Sequence, residues 1–102
     1  MNSEIHVGCP FELTIELIGG KWKGLILWGL HEKKVLRNGE MLRLIPKITQ
    51  KMLTQQLRDL EKNGLIRREI YEQVPPKVEY SLTPHGEALR PILDMMHSWG
   101  ME

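Results

Sequence analysis

Apolar residues recur with a helical period in the middle of the chain. Leu53, Leu57 and Leu60 follow the i, i+4, i+7 spacing, so they would form one inner stripe of a helix. Thr49 can cap the N-terminus of that helix, and Asn63-Gly64 can end it because both residues tolerate a left-handed conformation. The pattern predicts a helix over about 49–63.

The opposite face of this helix is polar and carries only positive charge. Its members are Lys51, Thr54, Gln55, Arg58 and Lys62. A helix that only has to remain soluble usually mixes both signs of charge on its outer face. The absence of an acid along this line favours an anionic partner, although an exposed polar helix without a ligand would also fit.

Two β-prone segments follow the central helix. Ile66–Glu72 and Val78–Leu82 favour strands, and "QVPPK" separates them. The two prolines cannot donate to a ladder, so this stretch predicts a loop tip and not a tight two-residue turn. We therefore expect a two-stranded β-hairpin over about 66–82, and the segment Val35–Arg37 allows a further short strand.

Four other helices are predicted. Pro10 suits the first turn of one that ends at Gly19-Gly20, and a largely apolar second helix runs over 21–30. Asn38 can cap a short third helix over 39–44. Thr83 can cap a last helix over about 84–99, with Pro84 at its first position.

The order of these elements predicts the fold. The predicted order is helix, helix, short helix, helix, strand, loop, strand and helix. This is a mostly helical α+β chain with the layout of a winged helix-turn-helix. The 102 residues amount to one domain, here 1–102. In that layout the helix over 49–63 is the recognition helix and the hairpin is the wing.

Composition agrees with a globular protein and charge is unevenly distributed. The chain is 41% hydrophobic and 26% charged, with a net charge of +1. The segment 43–77 sums to +4 and the remainder to −3, which suits a nucleic-acid surface but on charge alone fits a solvated face equally well. One cysteine and no apolar stretch of signal-peptide or membrane-spanning length lead us to expect a cytoplasmic protein.

Four stretches resemble one known family. They are "CP" (Cys9-Pro10), "LIGGKWKGLIL" (Leu17–Leu27), "ITQKMLTQQLRDLEKNGLIRR" (Ile48–Arg68) and "VPPKVEYSLTPHG" (Val74–Gly86). In this order and spacing the chain resembles the HxlR-type transcriptional regulators, a branch of the MarR-like winged-helix proteins. Asn38 departs from an aromatic that usually precedes the third helix, and Lys47 from a glycine that usually precedes the recognition helix.

The resemblance implies a sequence-specific transcriptional regulator that binds double-stranded DNA as a homodimer on an inverted repeat. The N-terminal part of a recognition helix meets base edges, where Gln and Lys can bond purines and a Thr methyl can touch thymine. The expected DNA-binding residues are Thr49, Gln50, Lys51, Thr54, Gln55, Arg58, Lys62, Arg68, Lys77 and Lys21. Arg67 and Arg68 point to opposite faces of a strand, so only one of them should face DNA.

Cys9 is the candidate redox-sensing residue. It precedes Pro10 at the expected start of the first helix, and a helix N-terminus favours the thiolate. In some members of the family a cysteine in the matching "CP" position senses oxidants or electrophiles. An inert, half-buried thiol is the alternative, and a switch would need a second chain or a small-molecule adduct.

The first and last helices carry more apolar surface than a domain of this size needs for its own core. We expect them to form a dimer interface through Phe11, Ile15, Ile92, Met95, Met96 and Trp99. Part of this stripe would be ordinary core.

Nothing in the sequence indicates catalysis, a metal site or a cofactor. The four histidines have no ligand-type spacing, and no phosphate loop or nucleophile motif is present. Two non-enzymatic alternatives to a DNA-binding regulator are a protein–protein winged-helix module and an RNA-binding domain. The former should have an apolar or acidic recognition helix, and the latter exposed aromatics for base stacking.

Overall fold

A computed structural model describes residues 8–102. The elements in chain order are α1 (Pro10–Ile18), α2 (Lys23–Lys33), β1 (Val35–Leu36), α3 (Asn38–Leu44), α4 (Gln50–Lys62), β2 (Ile66–Tyr71), β3 (Lys77–Leu82), α5 (Pro84–Glu87) and α6 (Arg90–Gly100). The α+β fold class and the hairpin after α4 agree with the sequence prediction.

The core lies between α2, α3, α4 and the base of the hairpin. Ile26, Leu27 and Leu30 of α2 are buried against Met41 of α3. The predicted leucine stripe of α4 joins them, with Leu53, Leu57 and Leu60 almost fully buried. Burial of this stripe fixes the rotation of α4, so the opposite side of the helix must face solvent.

The sheet has three strands, where a two-stranded hairpin was expected. The strand order is β1-β3-β2 and both pairings are antiparallel. Val35 pairs with Ser81 and Leu36 with Tyr80, so the short strand that the sequence allowed does form. It covers the edge of β3 and ties the hairpin to the helical body, because Leu36 is buried.

Three helices differ in detail from the sequence prediction. The second spans Lys23–Lys33 and so begins and ends later than 21–30. The third begins at Asn38, because Arg37 occupies the N-cap and its N–H donates to Glu40 Oε1 at 2.7 Å. The last helix is divided into α5 and α6, since Pro91 lacks the N–H that a continuous helix would require there.

Gly86 fixes how the chain leaves the sheet. A Cβ at this position would lie 2.1 Å from the backbone oxygen of Leu65, so only glycine permits the contact. Thr83 strengthens the same junction, since its N–H donates to Leu65 O at 3.1 Å and its hydroxyl to Gly64 O at 2.5 Å. The "TPHG" stretch therefore fastens the end of β3 to the segment between α4 and β2.

Candidate nucleic-acid interface

The outer face of α4 carries cations that form no ion pair with the part of the chain that the structure describes. Lys51, Gln55, Arg58 and Lys62 are exposed, on the side opposite the leucine stripe. Among residues 8–102, the three cations of this set take part in no ion pair. Their charge is therefore fully available to an anion from solvent.

The two acids of α4 are used elsewhere. Asp59 Oδ2 lies 3.9 Å from Lys23 Nζ of α2, and Glu61 Oε2 lies 3.7 Å from Arg68 Nε of β2. Both carboxylates are partly exposed and lie on the flanks of α4, where each contacts a cation of a neighbouring element. The outward line of α4 therefore contains only cations and neutral polar residues, and its two acids lie beside that line.

The N-terminus of α4 is ordered by side chains. Thr49 is the N-cap, and its Oγ1 accepts the N–H of Met52 at 3.1 Å. Gln50, the first residue of the helix, donates from Nε2 to Thr54 Oγ1 at 3.0 Å. The end of the helix that would meet base edges is therefore held in place by its own polar groups.

The turn before α4 requires an unusual backbone conformation. Lys47 has a φ of 69°, in the left-handed region that glycine adopts without steric penalty. This explains why a glycine is usual there in proteins of the resembling family. Lys47 is exposed, so the substitution adds a cation beside the N-terminus of α4 at the cost of local strain.

The hairpin separates Arg67 from Arg68. Arg68 pairs with Tyr80 across the strands and lies on the same face as the buried Ile66 and Leu82, the face that packs against the helices. Arg67 lies on the other face. Of the two, Arg68 is the one brought towards α4, where it meets Glu61.

The outward face of the hairpin holds a pair of acids. Glu69 lies directly opposite Glu79, an arrangement that is unfavourable for like charges. Lys77 Nζ lies 3.4 Å from Glu79 Oε2 and 4.8 Å from the centre of the Tyr71 ring, and Tyr71 donates to Glu69 Oε2 at 2.9 Å. This hydrogen bond, followed by desolvation and the charges of Glu69 and Glu79, raises the pKa of Tyr71 to about 12.

The charge of Lys77 is therefore offset by Glu79, whereas Lys51 and Lys62 form no ion pair among the described residues. Tyr80 on the inner face behaves differently from Tyr71: burial raises its pKa, and the nearby charge of Arg68 opposes that shift. The cations of the hairpin are thus partly compensated: Lys77 by Glu79 of the same strand and Arg68 by Glu61 of α4, while Arg67 forms no ion pair among the described residues.

An apolar groove lies on the other side of the molecule, between α1, α2 and α6. It encloses about 710 Å³, and Phe11, Ile15, Ile92 and Met96 line it. These side chains, with Met95 and Trp99, include some of the most exposed large apolar groups: Phe11 is 75% exposed, Met96 54% and Trp99 77%. All six expected interface residues are exposed, although Leu93 between them belongs to the core.

Lys21 and Cys9 belong to this side of the molecule. Lys21 also lines the groove, and its Nζ lies 4.8 Å from the centre of the Trp22 ring. Cys9 is the N-cap residue of α1, as expected, with an extended backbone and no side-chain capping bond, and is partly exposed.

A buried histidine connects α6 to α2. His31 Nε2 lies 3.0 Å from Asp94 Oδ1, and Arg90 Nε donates to His31 Nδ1 at 3.1 Å. Next to His31, Trp28 is half-buried and stacks on His97 with ring centres 4.5 Å apart. These contacts fix the position of α6, and they join residues too far apart along the chain for a local pattern to predict.

The part of the chain that the structure describes contains no group of three or more potential metal ligands. His6 lies outside that part. Within residues 8–102 no helix has the length and apolar character needed to cross a membrane.

The profile of the HxlR-like helix-turn-helix family matches residues 17–102. The chain belongs to the HxlR-like helix-turn-helix family. The resemblance drawn from the four sequence stretches is therefore confirmed, and this HxlR-like protein is a transcriptional regulator and not an enzyme.

Relatives of this HxlR-like chain support the same conclusion. The HTH-type transcriptional regulator YdeP of Bacillus subtilis (strain 168) is 54% identical over 99 residues, which cover 97% of this chain and 77% of YdeP. The structure of the redox regulator HypR in its oxidized form has a TM-score of 0.87 at 52% identity and covers 91% of this chain and 95% of that one.

A MarR-family transcriptional regulator from Porphyromonas gingivalis W83 has a TM-score of 0.92 at 40% identity, with 99% of this chain and 98% of that chain covered. The close agreement over nearly all of both chains confirms the winged helix-turn-helix fold of this HxlR-like protein.

Proposed function

We propose that this HxlR-like regulator binds an inverted-repeat operator as a homodimer, with α4 of each copy in a major groove and the hairpin beside the phosphate backbone. The observation that carries the proposal is the outer face of α4, whose three cations take part in no ion pair among residues 8–102, while the two acids of the helix lie off this line in contact with α2 and β2. An anion with a regular array of charges, such as duplex DNA, fits this face.

The residues divide into two roles in this proposal. Gln50, Lys51, Thr54 and Gln55 occupy the N-terminal half of α4, which reaches base edges in a major groove. Arg58 and Lys62 lie further along the helix, where they would meet phosphates and set affinity without reading sequence. Thr49 contributes by capping the helix.

The test is a binding titration with DNA from upstream of the protein's own gene, repeated at several salt concentrations. Gln55→Ala should cost about 1–3 kcal/mol at particular base pairs, whereas Lys62→Ala should weaken binding to all sequences alike and lower the salt slope by about one. An unchanged base preference in Gln55→Ala would contradict this placement of the reading face.

A second copy of the chain is the proposed occupant of the groove between α1, α2 and α6. One winged helix buries little DNA surface, and two-fold pairing places two recognition helices on neighbouring half-sites. Ile92 and Met96 line the groove, and the exposed Trp99 follows them on the same line of α6. A partner helix would remove this apolar surface from water.

Trp99→Asp should convert a dimer to a monomer in sedimentation and abolish specific DNA binding, because the charge would be buried at the interface. Val74→Asp is the matched control: Val74 is fully exposed at the hairpin tip, so its replacement should leave the oligomeric state unchanged. A wild-type monomer at micromolar concentration that still binds its operator tightly would contradict the dimer.

We also propose that Cys9 makes the regulator responsive to oxidants. It starts α1, which lines the proposed dimer groove, and a relative at 52% identity is the redox regulator HypR. Two Cys9 thiols from two chains would lose two protons and two electrons to a diamide oxidant and form one disulfide, with the diamide reduced to a hydrazine. Diamide should produce a cross-linked species on a non-reducing gel and change operator affinity, and Cys9→Ser should do neither.

A further inference from the structure

The N-terminus of α4 contains one hydrogen bond between two side chains that both belong to the proposed reading face. Gln50 is exposed at the first position of the helix, and Thr54, one turn later, is half-buried. Gln50 Nε2 donates to Thr54 Oγ1 at 3.0 Å. Gln55, also exposed on this face, has no such bond within residues 8–102, so the two glutamines differ in how they are held.

The bond leaves Gln50 able to read a base. A primary amide has two N–H groups and one carbonyl oxygen. When one N–H is engaged by Thr54, an N–H and the carbonyl remain, and these are the donor and acceptor that adenine N7 and N6 require in the major groove. The hydroxyl therefore restrains the amide without consuming the groups that recognise adenine.

The restraint also has a thermodynamic consequence. A free glutamine side chain loses rotamer freedom when it binds, and a side chain already held in place loses less. Thr49 caps the helix immediately before Gln50, so the backbone beneath the amide is fixed as well. Specificity at the Gln50 base pair should then depend on the hydroxyl of residue 54, even though that hydroxyl need not touch DNA.

We propose that Thr54 is a positioning residue that orients Gln50 towards an adenine in each half-site. This inference rests on the proposed function, since it assumes that α4 enters the major groove. It differs from a direct contact by Thr54, in which the methyl group would touch a thymine. The two roles use different atoms of the same side chain, so two substitutions separate them.

Thr54→Val keeps the shape and a methyl group but removes the acceptor, and Thr54→Ser keeps the hydroxyl and removes the methyl. Each variant, together with Gln50→Ala and Gln50→Ala/Thr54→Val, is titrated against a set of half-sites that carry every single base-pair substitution. Circular dichroism of each variant verifies that the helical content is unchanged.

Gln50→Ala should lose between about fivefold and 150-fold discrimination at one adenine. Thr54→Val should lose at least about threefold at that same base pair, and nothing further when Gln50 is already alanine. Thr54→Ser should behave like the wild type. Affinity for unrelated DNA should be equal in all variants.

Three results would overturn the inference. Full discrimination in Thr54→Val would mean that the hydroxyl is not needed, and a loss in Thr54→Ser alone would assign the methyl group a direct contact. A Gln50→Ala variant with wild-type preference would remove Gln50 from the reading face while leaving the proposed function intact. Wild-type protein that shows no preference among the half-sites would instead overturn the proposed function together with this inference.

Discussion

Helix α4 and the β2–β3 hairpin present their cations in opposite ways. Lys51, Arg58 and Lys62 of α4 have no ion-pair partner within residues 8–102. In the hairpin, Arg68 is paired with Glu61 of α4 and Lys77 with Glu79, and Arg67 alone has no ion pair among the described residues. An unpaired cation that binds a phosphate releases only condensed counter-ions, whereas a paired cation must first break its ion pair with a carboxylate.

The two regions also differ in how firmly they are anchored. Three leucines of α4 are buried in the core, but the hairpin is buried only at its base, where Ile66 pairs with Leu82. The remaining side chains of β2, from Arg67 to Tyr71, are exposed. Helix α4 is therefore the firmly anchored, strongly charged region, and the hairpin is the less firmly anchored one, with two of its cations offset by Glu61 and Glu79.

The largest expected effect is on stability, and it tests how firmly α4 and the hairpin are packed against the core. Leu60→Ala should lower the free energy of unfolding by about 2–5 kcal/mol, because a fully buried side chain leaves a cavity. Ile70→Ala in the hairpin should cost less than about 1 kcal/mol, since Ile70 is 59% exposed. Urea denaturation followed by circular dichroism measures both. Equal losses would mean that the hairpin is packed as firmly as the helix.

The next effect concerns charge. Replacement of Lys51, Arg58 and Lys62 together by alanine should reduce the slope of log affinity against log salt by about three. The double variant Arg68→Ala/Lys77→Ala should reduce it by less than one, because these cations are already neutralised in the free protein. A loss per residue that is the same in both variants would contradict the distinction between helix and hairpin.

The smallest effect tests one carboxylate. Glu61→Gln should release Arg68 and raise affinity for DNA by up to about fivefold, the range expected for an exposed ion pair. Glu72→Gln is the control, because Glu72 is exposed and forms no ion pair among the described residues. If both variants gained equally, the gain would come from net charge and not from the freed arginine.

Local patterns in the sequence were sufficient for α4 and the hairpin. The leucine spacing, the Thr49 cap and the two prolines of the hairpin tip are all properties of a few neighbouring residues. Pro91 is a local indication of the break between α5 and α6, but the apolar residues around it follow a helical pattern that favours one continuous helix.

Contacts between distant residues could not be predicted in the same way. Lys23 and Asp59, or His31 and Asp94, meet only because α2 packs against other helices, and nothing in their sequence surroundings marks them as partners. The ion pairs that the two acids of α4 form with α2 and β2 are contacts of this kind. The sequence shows the line of cations on α4, but only the packing shows which residues its two acids contact.

The exposure of Trp99 has a practical consequence for spectroscopy. Of the three tryptophans, Trp22 is buried, Trp28 lies against an imidazole ring and Trp99 is open to solvent at the end of α6. Indole emission moves to shorter wavelength when water is excluded from the ring. A Trp99→Phe variant would therefore isolate the emission of the other two rings. The difference between the wild-type and variant spectra would report, without any attached label, whether the end of α6 is exposed to water or shielded from it.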